Sequence, residues 1–286
     1  MLSRVALVAE GGIVSASDLT QASAALQKQA TRDFSPLWNV SATVDAFTNL
    51  EDVPVGSWPV ILKKNIDVQN AAGVHEDKDG QPFALVSVDA NWSLTASHET
   101  LEMLADPFGN RLVEGPSLDP NRPDRVQYLL EVADPCESAV YSYTIDGIVV
   151  SDFITPQFHD PEESSGARYS FAGNINHPRQ VLNGGYISWT DPATGHWYQL
   201  FVDDNGNPMP ITDLGTLSRS TEGTAVQSWR STIDRLTPRQ DGPKNPLTAT
   251  ELNKLLAMRG ATPTQAARVG RARSLRAQIA SLGVQG

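Results

Sequence analysis

Cysteine is almost absent from this sequence: Cys136 is the only one among 286 residues. A single thiol cannot form an intrachain disulfide, so oxidative cross-links add nothing to the stability of the chain. A lone cysteine acts as a nucleophile only beside a poised base, and no motif in the sequence supplies one. We therefore interpret Cys136 as a packing residue.

Long apolar runs are also missing. No segment approaches the roughly 18 consecutive apolar residues that a membrane-spanning helix needs. The N-terminal sequence MLSRVALVAEGG lacks a secretory apolar region of adequate length followed by a small-residue cleavage site. These features predict a soluble protein without a Sec export signal and without a membrane partner.

Basic residues are in deficit, since 22 Lys and Arg face 33 Asp and Glu for a formal net charge of -11. An acidic body of this kind is a poor binder of nucleic acids or anionic membranes. The charge is unevenly spread, because residues 252–286 contain six basic residues and no acid. The remainder, with 16 basic and 33 acidic residues, therefore carries -17. The basic tail and the acidic body are separate electrostatic objects.

The hydrophobic pattern of the first third predicts strand, helix, strand, strand, strand, helix. The segments are residues 4–10, a helix from Ser17 to Pro36, and then 40–47, 58–67, 83–89 and 93–106. The stretch NAAGVHEDKDGQP before residue 83 is interpreted as turns, with His75 as a surface loop residue that could line a cleft. After Pro107 the pattern changes to short β-like segments separated by turns.

The predicted fold class is α+β, with four parts along the chain. Residues 1–110 form an N-terminal subdomain with a mixed sheet and two main helices, and residues 111–232 form the β-rich remainder of the same domain. Residues 233–247 are a Pro-rich linker, and residues 248–286 are a basic helical tail. The tail could dock on a partner, on the acidic body or on a larger assembly, or remain a solvated terminus.

The segment LTASHETLEMLADP, which begins at Leu94, carries the strongest chemical signal. His98 and Glu102 are four residues apart, so on a helix they lie about 40° apart on one face and could bind one ion. Glu99 lies about 100° round the helix from His98, where it can act as general base for a metal-activated water. Taken alone, such a triplet is more often a solvated helix face.

A catalytic zinc usually has three protein ligands and one open position, so a third ligand is expected. We prefer Glu131, which ends the apolar run VQYLLE, because an unpaired buried carboxylate is costly. Asp134 is an alternative ligand, or a residue that orients an imidazole from behind. Asp106, two turns beyond His98, is a further alternative, and His159 is a more remote one.

The order of elements over residues 4–107 resembles that of the zincin metallopeptidases. The sequence also looks like a zincin-like group whose helix has a His-Glu-x-x-Glu motif followed by Asp-Pro. The residues that carry this resemblance are His98, Glu99, Glu102, Asp106 and Pro107, then Glu131, Val132, Asp134 and Pro135, and then residues 150–153. With these residues the resemblance extends to about Trp197. It departs from ordinary zincins at Glu102, which stands where they have a second histidine.

The resemblance implies a zincin-like domain and a zinc-dependent peptidase or hydrolase with Glu99 as general base. A peptide or protein substrate would pair with residues 83–89 as an edge strand. Two carboxylates and one neutral imidazole make a formally neutral zinc site, which is a weaker Lewis acid and shifts the metal preference towards manganese or another hard divalent ion. Tyr141, Tyr143 and Tyr186 could donate to an oxyanion, although strand tyrosines more often pack.

A second function class also fits the sequence. A non-catalytic protein that keeps a zincin scaffold is suggested by Glu102 in place of the histidine, the missing export signal and the basic tail. Such a protein would be a structural or interaction component of a phage-like or other large assembly. The expected location is accordingly the cytoplasm or a phage-like assembly.

Overall fold

The computed structural model describes residues 2–66, 71–122, 124–219, 221–222 and 225–236. The chain begins with a five-stranded mixed sheet in the order β2-β1-β3-β5-β4. Its strands are β1 (Leu2–Ala9), β2 (Ser41–Phe47), β3 (Trp58–Lys63), β4 (Gly73–Lys78) and β5 (Gln81–Ser87). The pairs β1–β2, β1–β3 and β3–β5 are parallel, and β4 runs antiparallel to β5.

Helices cover one face of this sheet. Helix α1 (Ala16–Lys28) continues through a π-helical stretch, Gln29–Phe34, into α2 (Ser35–Trp38). Helix α3 (Trp92–Ala105) is separate and follows the sheet. Ser15 caps α1 by accepting a hydrogen bond from Asp18 N, so the cap lies two residues before the predicted start of the helix at Ser17. Alternate residues of β1 enter two different cores: Val5 and Leu7 face the helices, while Ala6 and Val8 face the opposite side. The strand is therefore buried on both faces.

The second half of the chain forms an antiparallel sheet in the order β12-β11-β10-β7-β6. Its strands are β6 (Leu112–Pro116), β7 (Arg125–Leu129), β10 (Tyr186–Thr190), β11 (His196–Phe201) and β12 (Thr212–Thr216). Two short antiparallel pairs are β8 (Tyr143–Ile145) with β9 (Ile148–Val150) and β13 (Thr221–Glu222) with β14 (Ala225–Val226). The final described helix is α4 (Trp229–Asp234).

The α+β class is confirmed, but the prediction around His75 is wrong. Residues 73–78 are a strand and not a turn, because Asp79 and Gly80 adopt positive φ values of 51° and 81° and close a tight hairpin between β4 and β5. The predicted edge strand 83–89 corresponds to β5, which has partners on both sides, so β4 is the outermost strand.

The predicted linker 233–247 overlaps the end of α4, and its later part lies outside the described residues, as does the whole predicted tail 248–286. Among the described residues, no helix combines the length and the apolar character required to cross a bilayer.

Candidate metal centre

Helix α3 is buried around most of its circumference, so its polar side chains have to be satisfied inside the protein. The residues from Glu99 to Ala105 are all buried, with Glu99 3% exposed and Glu102 completely inaccessible. Burying a carboxylate is costly unless it is paired, hydrogen-bonded or bound to a metal. The motif is therefore not a solvated helix face.

Glu102 is at the centre of the site. Its Oε1 accepts hydrogen bonds from the backbone N–H groups of Ala133 and Asp134, at 3.2 and 3.3 Å. Its Oε2 lies 3.2 Å from His98 Nε2 and 3.4 Å from His75 Nδ1. The backbone after β7 thus fixes one oxygen and leaves the other facing two imidazoles.

The first group of ligand atoms combines His98 and Glu102 with Asp134. Asp134 begins a short 3-10 helix, Asp134–Cys136, and its Oδ1 lies 3.2 Å from His98 Nε2. One ligand atom from each of these three residues lies within 4.8 Å of the other two, which is close enough for them to hold a metal ion.

The second group combines His75 with Glu99 and Glu102. His75 Nδ1 lies 3.4 Å from Glu99 Oε2 and 3.4 Å from Glu102 Oε2, and the ligand atoms again lie within 4.8 Å of one another. His75 reaches the site because β4 is a strand in which His75 is 1% exposed. This buried group could also hold a metal ion.

The imidazole–carboxylate distances are compatible with ligation of a metal ion. A tetrahedral ion with bonds of about 2.0–2.2 Å keeps its ligand atoms about 3.3–3.6 Å apart. The imidazole–carboxylate separations in the cluster are 3.2–3.4 Å. Several buried atoms of the site make no hydrogen bond within the described residues. They are Glu99 Oε2, Glu102 Oε2, Asp134 Oδ1 and both ring nitrogens of His75. Such atoms usually have a ligand, an ion or a water beside them.

Arg230 of α4 supplies a fixed positive charge next to the first group. Its Nη1 lies 3.0 Å from Asp134 Oδ2 and 3.0 Å from Glu131 Oε2, and its Nε donates to Asp234. The Glu131 contact is an ion pair by distance only, since neither Glu131 oxygen makes a hydrogen bond within the described part of the chain. Glu131 is therefore paired with Arg230 rather than grouped with His98 and Glu102.

Electrostatics divides the cluster into groups that favour the charged form and groups that do not. Burial disfavours the imidazolium, but the charges of Glu102 and Asp134 outweigh burial and raise the pKa of His98 well above its ordinary value. Burial also disfavours the Glu102 carboxylate, yet His98 and His75 lower its pKa well below the usual range. For Glu131, burial prevails over Arg230 and raises the pKa. The cluster therefore attracts cations.

A cleft of about 170 Å³ opens on the first group. His98, Glu99 and Asp134 line it, together with the start of β4 and Tyr186. Gly73 of β4 is needed here, because a Cβ atom at this position would lie 2.5 Å from Glu99 Oε1. The second group is deeper, since of its three residues only Glu99 lines the cleft.

Comparisons of the chain with family models, curated proteins and solved structures gave no match. The function has to be inferred from the site itself.

The structure brings together four of the residues singled out from the sequence: His98, Glu99, Glu102 and Asp134. Asp106 lies apart, at the end of α3, where its Oδ2 accepts a hydrogen bond from Arg111 N at 2.6 Å. His159 packs against Tyr128, with ring centroids 5.6 Å apart, away from both groups. Of the three tyrosines, Tyr186 lines the cleft and Tyr143 donates to Asp33.

The sequence predicts neither His75 as a ligand, since it places this residue in a surface loop, nor Arg230 as part of the site. His75 could have been found from the Asp79-Gly80 turn signal, which predicts a hairpin and makes residues 73–78 a strand. Arg230 follows a Ser-capped start of α4, and Ser228 Oγ accepts from Ser231 N at 2.9 Å. Nothing in the local sequence connects this helix with a site 96 or more residues earlier.

Proposed function

We propose that this protein is a metal-dependent hydrolase, in which His98, Glu102 and Asp134 hold a divalent ion and Glu99 is the general base. One observation carries the proposal: three ligand atoms that lie within 4.8 Å of one another stand beside a cleft, with Glu99 on the same helix lining that cleft. A bound ion supplies Lewis-acid chemistry, since it makes water more acidic and polarises a carbonyl oxygen.

Glu99 is the residue for proton transfer. It lines the cleft one residue after His98, and its Oε1 lies on the side of Gly73. A carboxylate in this position can take a proton from the attacking water and pass it to the leaving amine. Because β4 leaves room there only for a glycine, the position of the carboxylate is restricted by the strand as well as by the helix.

Tyr186, which also lines the cleft, is suited to stabilise the oxyanion. Burial raises the pKa of its phenol well above the usual range, so the hydroxyl remains protonated and can donate. Its ring stacks on Phe201 at a centroid distance of 5.0 Å, which fixes its orientation.

We infer that the substrate is a peptide or protein segment that lies along β4. Among the described strands, β4 pairs with β5 alone, so its outer edge can accept an extended chain by strand addition. The beginning of β4, from Gly73 to Val74, also lines the cleft. This strand replaces residues 83–89 as the expected substrate edge.

We further infer a zincin-like fold with zinc as the metal. Parallel strands, an antiparallel edge strand and the motif helix that follows them support this interpretation. The imidazole and carboxylate ligands are ordinary for zinc, whereas the two carboxylates leave manganese as the principal competitor.

The test is elemental analysis and peptide hydrolysis of the purified full chain beside Glu99→Gln. We expect bound zinc or manganese in both proteins and loss of about 10²–10⁴-fold in hydrolysis for the variant, which is the usual contribution of a general base. Glu114→Gln, at an exposed residue paired with Arg125, is the matched control. A metal-free chain from metal-replete medium would contradict the proposal and favour the non-catalytic scaffold.

A further inference from the structure

The two groups of ligand atoms share one residue, Glu102, and divide the two histidines between them. His98 belongs with Asp134, and His75 belongs with Glu99. We propose that the site binds two divalent cations, the second of them held by His75, Glu99 and Glu102, with the Glu102 carboxylate bridging both. This inference rests on the proposed function for the first ion and adds a second, inner ion to it.

The inner group is a built site rather than a collection of acids. His75 is 1% exposed, and neither of its ring nitrogens makes a hydrogen bond within the described residues. Glu99 Oε2 and Glu102 Oε2, its partners at 3.4 Å, are buried and equally unsatisfied. Three unsatisfied atoms of this kind, aimed at one another, leave a large desolvation cost that one cation would offset.

The remaining nitrogen of His75 faces a carboxylate, which is the usual arrangement for a metal-binding imidazole. His75 Nε2 lies 3.8 Å from Glu131 Oε2. A histidine that ligates through one nitrogen normally directs the other N–H towards a carboxylate or carbonyl, which fixes its tautomer and orientation. Glu131, expected from the sequence as a ligand, would then orient the inner histidine instead.

A single ion cannot use both histidines without rearrangement, because no one group contains both. The nitrogens approach the same Glu102 oxygen, at 3.2 Å for His98 and 3.4 Å for His75. One oxygen shared by two ions at ordinary bond lengths holds them no more than about 4 Å apart, which is the spacing of two-metal hydrolytic sites.

The charge of the cluster also favours bound cations. Five carboxylates of the site are buried: Glu99, Glu102, Glu131, Asp134 and Asp234. Arg230 is the fixed positive charge among them, and it pairs with the last three. Three of these acids share the charge of Arg230, so buried negative charge remains that bound cations would offset.

The inner ion has a consequence for Glu99. Its Oε2 faces His75, whereas its Oε1 lies against Gly73, a residue of the cleft wall. With Oε2 bound to the inner ion, Oε1 is the oxygen left to exchange a proton in the cleft. The inner ion would thus fix the orientation of the base.

The test is metal stoichiometry of the full chain, measured by native mass spectrometry after reconstitution with zinc alone and, in parallel, by electron paramagnetic resonance after loading with manganese alone. We expect two zinc ions per chain and an exchange-coupled manganese spectrum. His75→Asn and His98→Asn should each retain one ion and lose the coupling. His177→Asn, at an exposed histidine paired with Glu163, controls for surface binding and should retain two.

The outcomes separate this inference from the proposed function. One zinc ion in the unmodified chain, lost in His98→Asn and retained in His75→Asn, would overturn the two-ion site and leave the proposed function standing. A single ion that is lost in His75→Asn and retained in His98→Asn would overturn both the two-ion site and the assignment of His98 to the first ion. The stoichiometry of the unmodified chain is decisive even if one of the variants fails to fold.

Discussion

The guanidinium of Arg230 lies 3.0 Å from the carboxylate of Asp134, although 96 residues separate them in the sequence. Helix α4 is held in position by Gly109, just beyond the end of α3: Arg230 N donates to Gly109 O at 3.0 Å. Gly109 has a φ of 56°, and a Cβ atom there would lie 2.8 Å from Arg230 Cβ. The end of the motif helix and the cation beside the site are therefore packed directly against each other.

Replacing Arg230 with methionine should destabilise the metal-free protein strongly. The change leaves Glu131, Asp134 and Asp234 without their counter-charge, and removing one partner of a buried ion pair costs about 3–5 kcal/mol. Urea denaturation in the presence of a chelator measures the loss, which zinc should reduce because it restores positive charge. Arg125→Met, which breaks an exposed pair with Glu114, is the control and should cost no more than about 1 kcal/mol. Equal, small losses in both variants would contradict this role for Arg230.

Removing the metal should lower the stability of the unmodified chain, because ligands bound to the folded state alone add to its free energy of unfolding. At a free zinc concentration 100 times the dissociation constant, the gain is about 2.7 kcal/mol. Asp134→Asn should abolish most of the difference between zinc-loaded and chelator-treated protein. Asp106→Asn, which removes a buried acid outside both groups, is the control and should lower the stability of the zinc-loaded and the chelator-treated protein equally. If Asp134→Asn keeps the full difference in stability between the two forms, Asp134 is not a ligand.

His159 should make the protein sensitive to acid. Burial, reinforced by the charge of Arg179, lowers the pKa of His159 from 6.5 to about 3. Below pH 6.5 the unfolded chain takes up a proton at this residue while the folded chain does not, so stability falls as the pH drops towards 3. The loss is about 3 kcal/mol at pH ~4.5. His159→Leu should flatten the dependence of stability on pH between these values, which denaturation at each pH measures. The exposed His177→Leu is the control. An unchanged slope in His159→Leu would exclude this residue as the cause of the acid sensitivity.

The sequence predicted the motif helix well, for physical reasons. An apolar run without internal Gly or Pro, stopped by Pro107 and Gly109, defines α3 to within one residue at each end. Since residues four apart on a helix share a face, the pairing of His98 with Glu102 followed directly. These are local rules, and they hold wherever one element determines the geometry.

Contacts between distant elements were harder to predict. The choice between Glu131 and Asp134 depends on where the chain turns after β7, since the backbone N–H groups of Ala133 and Asp134 bind Glu102. Residue type and spacing do not determine that turn. Arg230 belongs to a six-residue helix whose position depends on tertiary packing, so no periodicity could connect it with the site.

Gly73 offers a steric test of the position of Glu99. An alanine Cβ at this position would lie 2.5 Å from Glu99 Oε1 and 2.6 Å from Thr95 Cγ2, so the Glu99 carboxylate has to move. Misplacing a catalytic group by about 1 Å can cost about 10²-fold in rate, and we expect a loss of this order in peptide hydrolysis for Gly73→Ala. Ala72→Ser, at an exposed neighbour in the same wall, is the control and should retain activity. Adding Thr95→Ser removes the second clashing atom and should restore part of the rate. If Gly73→Ala is as active as Ala72→Ser, Gly73 does not restrict the position of the Glu99 carboxylate.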